Sequence, residues 1–299
     1  MRCGYRQLLL SLVLSSFSRD VESWTTNLFN NKQHRPSSSA LALGAGTSSS
    51  RWSEKANRPP YLAIITESNA CDSEERMQST LGAIEAAVST QKVALVSIRI
   101  EKPKGDASRL EQIECRVKEL TKKIAKLTET NDFHVVVSSD WVGTLDDSPS
   151  LSSSSVGVHF KETHRDLIPA TREKLGPGAL IGTSAHSIDS AVDVISKYGH
   201  PDYFFVGTCF LTASHPEKSK ADLEGPALPG QVARAIQEQF GTSPSTPVVL
   251  AIGGIDDTNC GEPVLTFGAD GVAVIRAVLH AVDPADAARR IQASMMGEQ

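Results

Sequence analysis

The sequence predicts an α/β fold: a single-domain (β/α)8 TIM barrel over residues 59–299, preceded by a disordered N-terminal leader over residues 1–58. Three observations carry the prediction. Eight short apolar runs alternate with helical or loop segments after Pro60. The runs are apolar on both faces, the pattern of strands covered on two sides in a parallel sheet. The first run is followed by Thr66-Glu67-Ser68-Asn69, which lacks the glycine fingerprint of an open dinucleotide-binding sheet. Eight strands in a chain of this length suit a closed barrel.

Each element follows from local pattern. Residues 61–66 (YLAIIT) read as the first strand. Residues 73–89 carry Met77, Leu81, Ile84 and Val88 at helical spacing. Residues 93–99 (VALVSIR) form the second strand. Leu110, Ile113, Val117, Leu120, Ile124 and Leu127 then recur at intervals of three and four, a long amphipathic helix. Residues 133–138 are the third strand, followed by a helical turn and the polar stretch SPSLSSSS. Residues 156–160 (VGVHF) are the fourth strand, with a helix to about Leu175. Residues 179–183 are the fifth, with Ser187 as the expected N-cap of a helix through Tyr198. Residues 202–207 are the sixth, leading through a long loop to a helix near 229–240. Residues 247–252 are the seventh, with a helix expected from about Asp257. Residues 271–275 are the eighth, and a helix over 283–296 closes the chain.

The leader differs in composition. Arg2 and Arg6 precede the apolar run 8–14, and a Ser-rich, acid-poor segment continues to Asn57. A signal-like segment followed by transit-like sequence points to a plastid address, with a mitochondrial or secretory one as the alternative. Elsewhere no run of 18 or more apolar residues predicts a membrane span, so no membrane association is expected of the mature form. A formal net charge of −5 argues against nucleic acid as a partner. The five cysteines are scattered without a C-x-x-C pair, which suggests free thiols rather than a disulfide framework or a zinc site.

In such a barrel, chemistry gathers at the C-terminal strand ends, and phosphate is commonly held after strands seven and eight. The seventh strand empties into Gly253-Gly254, which lack side chains and let backbone N–H groups approach an anion. Arg276 holds the matching place after the eighth. Arg99, Ser139-Asp140, His159, Ser184-Ala185-His186 and Thr212-Ala213-Ser214-His215 stand at other strand ends. Their convergence on one rim predicts a site for a small anionic molecule, with Cys209 beside it as a buried thiol.

The motifs also resemble a known family. GVHF at 157–160, IGTSAHS at 181–187, DYFFVGTCFLT at 202–212, AIGGI at 251–255 with Asn259, and GADGVAVI at 268–275 are similar to those of the thiamine phosphate synthase and TenI family. The likeness spans roughly residues 60–293 and is weaker before 150. It implies a (β/α)8 barrel in thiamine biosynthesis acting on small phosphorylated substrates. The synthase joins hydroxymethylpyrimidine pyrophosphate to thiazole phosphate with magnesium. TenI proteins share the thiazole-phosphate site, and some isomerise a thiazole carboxylate phosphate.

On that resemblance, Arg99, Asp140, Ser184 and His186 are the catalytic candidates. Thr212, Ser214, His215, Gly253, Gly254 and Arg276 are the substrate-binding candidates. Mg2+ is expected only of a synthase-like site, with Asp140 as its carboxylate. The chain departs from the synthase pattern around the pyrophosphate. Ser97 stands for a glutamine, Glu101 for a lysine, and the family's Gly-Gln-x-Asp after GVHF is missing. The lysine after the sixth strand is His215, and Lys102, Lys218 and Lys220 are candidate replacements. The TenI histidine position holds Thr208, which makes His186 the candidate relocated base. The leading expectation is a TenI-like protein binding thiazole or thiamine phosphate. The alternatives are a divergent synthase and a non-catalytic regulatory module, and association into a homo-oligomer is left open.

Overall fold

The computed structural model describes residues 59–142, 156–176, 179–214, 216–243 and 245–298. The leader over residues 1–58, the Ser-rich stretch and His215 lie outside the described residues.

The eight strands are β1 (Tyr61–Ile65), β2 (Val93–Ile98), β3 (His134–Ser138), β4 (Val156–Phe160), β5 (Ile181–Ala185), β6 (Tyr203–Val206), β7 (Val248–Ile252) and β8 (Gly271–Val274). They pair in chain order, all parallel, and β1 joins β8 in the register Tyr61↔Gly271 to close the barrel. The outer ring holds α1 (Glu74–Val88), α2 (Ala107–Leu127), α3 (Ile168–Leu175), α4 (Ile188–Tyr198), α5 (Ala227–Phe240), the short α6 (Arg276–Leu279) and α7 (Pro284–Met295).

Local chemistry starts the long helices. Ser73, Asp106, Ser187 and Asp283 each accept the backbone N–H of the residue three further on, satisfying a donor that the first turn leaves open. The α2 stripe buries Ile113, Val117, Leu120 and Ile124, so its periodicity translates directly into the face that covers the sheet.

Inside the barrel, Ala63, Ile65, Leu95, Val136, Tyr203, Phe205, Leu250 and Ala273 pack together. The Tyr203 ring fits because Gly182 lies opposite: a Cβ there would stand 2.0 Å from Tyr203 Cζ. A barrel of this size fills its interior with side chains rather than leaving a pore.

Two expectations are corrected. The fifth strand runs two residues later than its apolar run, over Ile181–Ala185. Its polar residues are accommodated, because Thr183 Oγ1 donates to the Phe160 carbonyl at 3.0 Å and Ser184 Oγ lies 3.0 Å from His159 Nε2. The regular helix expected from about Asp257 is replaced by a turn and then a single π-helical turn over Glu262–Thr266. Pro263 near its start has no N–H to give an α-helical ladder. Among the described residues no helix is long and apolar enough to cross a membrane.

Candidate functional site

The C-terminal mouth of the barrel holds a cavity of about 480 Å³, within the usual range for a small-molecule pocket. Eight of the ten residues predicted for the site line it: Arg99, Ser184, His186, Thr212, Ser214, Gly253, Gly254 and Arg276. Asp140 is not among the lining residues, and His215 lies outside the described residues.

The two glycines form a turn that no other residue type would make cheaply. Their φ angles are +101° and +65°, a region L side chains rarely adopt. A Cβ on Gly253 would stand 2.5 Å from Thr208 Cγ2, and one on Gly254 2.4 Å from the Leu211 carbonyl oxygen. The turn is packed that closely because the β6 loop docks on it: Cys209 N donates to the Ile252 carbonyl and Phe210 N to the Gly253 carbonyl, both at 2.9 Å. Asn259 locks the far side, its Nδ2 donating to the Gly254 carbonyl and its Oδ1 accepting from Asp256 N, each at 2.9 Å. Among the described residues the Gly254 and Ile255 N–H groups have no backbone acceptor. The N–H groups of Arg276 and Ala277, in the first turn of α6, have no intrahelical acceptor. The Arg276 guanidinium has no side-chain partner among the described residues. Donors and one free cation therefore share a corner of the pocket, the composition of an oxyanion cup.

The opposite wall is a hydrogen-bonded network. His159 reaches up from β4, with Nδ1 3.0 Å from Tyr203 Oη and Nε2 3.0 Å from Ser184 Oγ. Its ring lies 4.7 Å from that of Phe205. Burial pushes the imidazole down to about 3, and the nearby Arg99 guanidinium adds to the effect, so His159 is neutral and serves to orient Ser184. Arg165 clamps Ser184 from behind through its carbonyl oxygen. Arg99 is itself half-buried, and burial lowers its pKa from the ordinary value, with Glu101 opposing. It has no side-chain partner among the described residues.

His186 stands above this network with its side chain 48% exposed. Its Nδ1 meets the Gly207 carbonyl and lies 3.4 Å from Glu224 Oε1. Both neighbours only accept, so Nδ1 carries a hydrogen, and in the neutral imidazole the lone pair is then on Nε2. Glu224 also accepts from Thr208 N at 2.6 Å and from Lys218 Nζ at 2.9 and 3.0 Å. Burial raises its pKa, but the Lys218 and Thr208 hydrogen bonds outweigh that and hold the carboxyl below its usual value.

Glu224 was not legible as a site residue. It lies sixteen positions beyond Thr208 in a long loop, and no spacing signal ties it to His186. Asn259 was visible as part of the AIGGI motif, but its role as the clamp of Gly254 depends on the turn.

The lysines proposed as replacement cations are all engaged or remote. Lys218 is paired with Glu224, and the Lys102 ammonium sits 5.1 Å above the Trp141 ring. Lys220 lies exposed in a 3-10 turn capped by Ser219. Cys209 is 1% exposed, and burial pushes its thiol up to about 12, which makes it an inert packing group.

Comparison with known proteins supplies context for this geometry. The family model for thiamine monophosphate synthase, TMP-TENI, matches residues 62–278. A thiamine-phosphate synthase of Arthrobacter sp. is 32% identical over 163 residues, covering 51% of this chain and 68% of that protein. One of Methanospirillum hungatei is 36% identical over 142 residues, covering 47% of this chain and 61% of its own length. The match therefore falls short of two thirds of the latter protein. Among solved structures, thiamine phosphate pyrophosphorylase of Pyrococcus furiosus superposes with a TM-score of 0.56 at 23% identity, covering 80% of this chain and 96% of that one. At that identity the superposition speaks for the shared barrel alone.

Proposed function

This chain belongs to the thiamine monophosphate synthase (TMP-TENI) family, and within it we propose a TenI-like protein that binds thiazole phosphate and shifts a proton on a thiazole carboxylate phosphate. One observation carries the reading: His186 faces the pocket with Nδ1 held by the Gly207 carbonyl and Glu224, and Nε2 without a protein partner among the described residues. In this reading the phosphate sits on the Gly253–Gly254 turn and Arg276. The thiazole ring lies over Phe205 and Ile252, toward His186.

The chemistry follows from the tautomer. Nε2 takes a proton from the ring, Glu224 stabilises the resulting imidazolium, and the same N–H returns the proton to another atom of the same molecule. Nothing is consumed, so one base with a fixed orientation suffices. Thr208 occupies the TenI histidine position but cannot serve as base: its hydroxyl accepts from Lys218 Nζ at 3.2 Å.

The test is isomerisation of the thiazole carboxylate phosphate, followed by proton NMR with deuterium uptake from solvent. His186→Asn should lower kcat by about 10²–10⁴-fold while ligand binding persists. A coupled assay with pyrimidine pyrophosphate and thiazole phosphate is the counter-experiment. Turnover there that Asp140→Ala abolishes would overturn the isomerase reading. Tight binding without either activity would favour a regulatory module.

A second reading, the divergent synthase, is favoured by one feature. Arg99 and Ser184 both line the pocket, so a cation and a hydroxyl are available to a leaving group deep in the mouth.

A further inference from the structure

Between the ends of β3 and β4, apart from the pocket lining, a polar cluster surrounds Asp140. Lys161 Nζ is salt-bridged to Asp140 Oδ2, and Ser138 Oγ donates to the same oxygen at 3.4 Å. The other oxygen lies 3.8 Å from His164 Nδ1, which is itself 3.0 Å from Ser139 Oγ. The Asp140 side chain is only 13% exposed.

The family resemblance places magnesium at this carboxylate, but the residues present do not fit it. Magnesium demands open carboxylate oxygens in near-octahedral geometry and keeps several waters. Here Oδ2 is covered by an ammonium and Oδ1 faces an imidazole. Glu162, at the start of the turn after β4, is paired with Arg165 at 2.8 Å and accepts from Ser190 Oγ at 2.7 Å. Among the described residues no group of three His, Cys, Asp or Glu side chains could hold a metal ion.

We propose that Lys161 is a resident cation in the place of the magnesium, so that this chain takes its phosphorylated ligand without a divalent ion. The ammonium offers three donor hydrogens on a flexible stem. With Asp140 engaging one face and the side chain 51% exposed, the remaining donors are open to a ligand oxygen. Asp140 then acts as the positioning group for Lys161 rather than as a metal ligand. The part of the inference that concerns ligand rests on the phosphate-pocket reading; the part that concerns metal does not.

Two measurements on the full chain separate these. Terbium is a luminescent probe for carboxylate cation sites, and Trp141, next to Asp140, is the built-in sensitiser. Wild-type protein should give no saturable Asp140-dependent luminescence at micromolar terbium. Lys161→Asp, which sets a second carboxylate where the ammonium was, should create such a signal, strengthened by at least about tenfold and removed again by Asp140→Asn. Saturable binding in the wild type that Asp140→Asn abolishes would overturn the proposal, as would a Lys161→Asp variant that folds and gains no affinity.

In the second measurement, inorganic phosphate and pyrophosphate are titrated by calorimetry in EDTA and in magnesium. Affinity should agree within about twofold between the two conditions; in EDTA, Lys161→Gln, which keeps most of the stem, should lose about tenfold for pyrophosphate and little for phosphate, which the Gly253–Gly254 turn and Arg276 hold. A tenfold gain from magnesium in the wild type would overturn the proposal. If neither anion binds under any condition, the phosphate-pocket reading fails, while the terbium result still decides what Lys161 replaces.

Discussion

Acidification from pH 7 to pH 5 should destabilise this protein through His159, and the size of the loss can be worked from its surroundings. In the folded chain the imidazole is wedged between Tyr203 Oη and Ser184 Oγ, beside Arg99, and its pKa is pushed down to about 3 from 6.5. Unfolding releases it to water, where it takes up a proton below its ordinary value. Its contribution is therefore fully present above about pH 6.5 and is lost progressively as the pH falls toward 3. Linkage alone gives a loss of about 2 kcal/mol at pH 5, and the partial exposure of the residue screens part of it, leaving roughly 1–2 kcal/mol. The assay is urea unfolding at both pH values for wild type and His159→Gln, whose amide keeps hydrogen-bonding capacity toward Tyr203 and Ser184. Carboxylates titrate in both proteins, so the difference between the two pH dependences isolates the imidazole. Wild type should lose roughly 1–2 kcal/mol more than the variant. Parallel profiles would refute the argument, because they would mean that His159 binds its proton equally well in both states.

Three further outcomes follow from the same geometry. Gly182→Ala drives a methyl group into the Tyr203 ring, and should cost about 2–4 kcal/mol in urea unfolding. Arg276→Ala removes the free cation of the oxyanion cup and should weaken phosphate-ligand binding by about 10–100-fold in calorimetry, with little change in stability. Ser187→Ala deletes the N-cap that accepts from Ser190 N at 3.0 Å, and should cost about 1 kcal/mol, seen as a lowered Tm.

What could be read in advance divides along a physical line. The barrel was legible because strand burial and helix amphipathicity are periodic properties of neighbouring residues, as in Ile113, Val117, Leu120 and Ile124 of α2. The glycine turn was legible for a related reason: residue type at Gly253 and Gly254 directly encodes the backbone angle the turn needs. The β5 boundary and the turn after β7 were misjudged where tertiary hydrogen bonds or a proline decide the outcome. Charge was the least legible property, because a residue count does not say which charges are free. Lys102 lies over Trp141, Lys161 is held by Asp140 and Lys218 by Glu224. The cations that line the pocket are Arg99 and Arg276, neither with a side-chain partner among the described residues. A phosphate monoester carries a charge of about −2 at neutral pH, which two guanidinium groups match. A second anionic group, a further phosphoryl or the carboxylate of the proposed substrate alike, meets no third unpaired Lys or Arg among the described residues that line the pocket, and Lys218 is held by Glu224. Withdrawing Lys218 would strip the carboxylate that orients His186 of its counter-ion. The two unpaired guanidinium groups thus match one phosphate monoester, on grounds independent of the tautomer argument for His186.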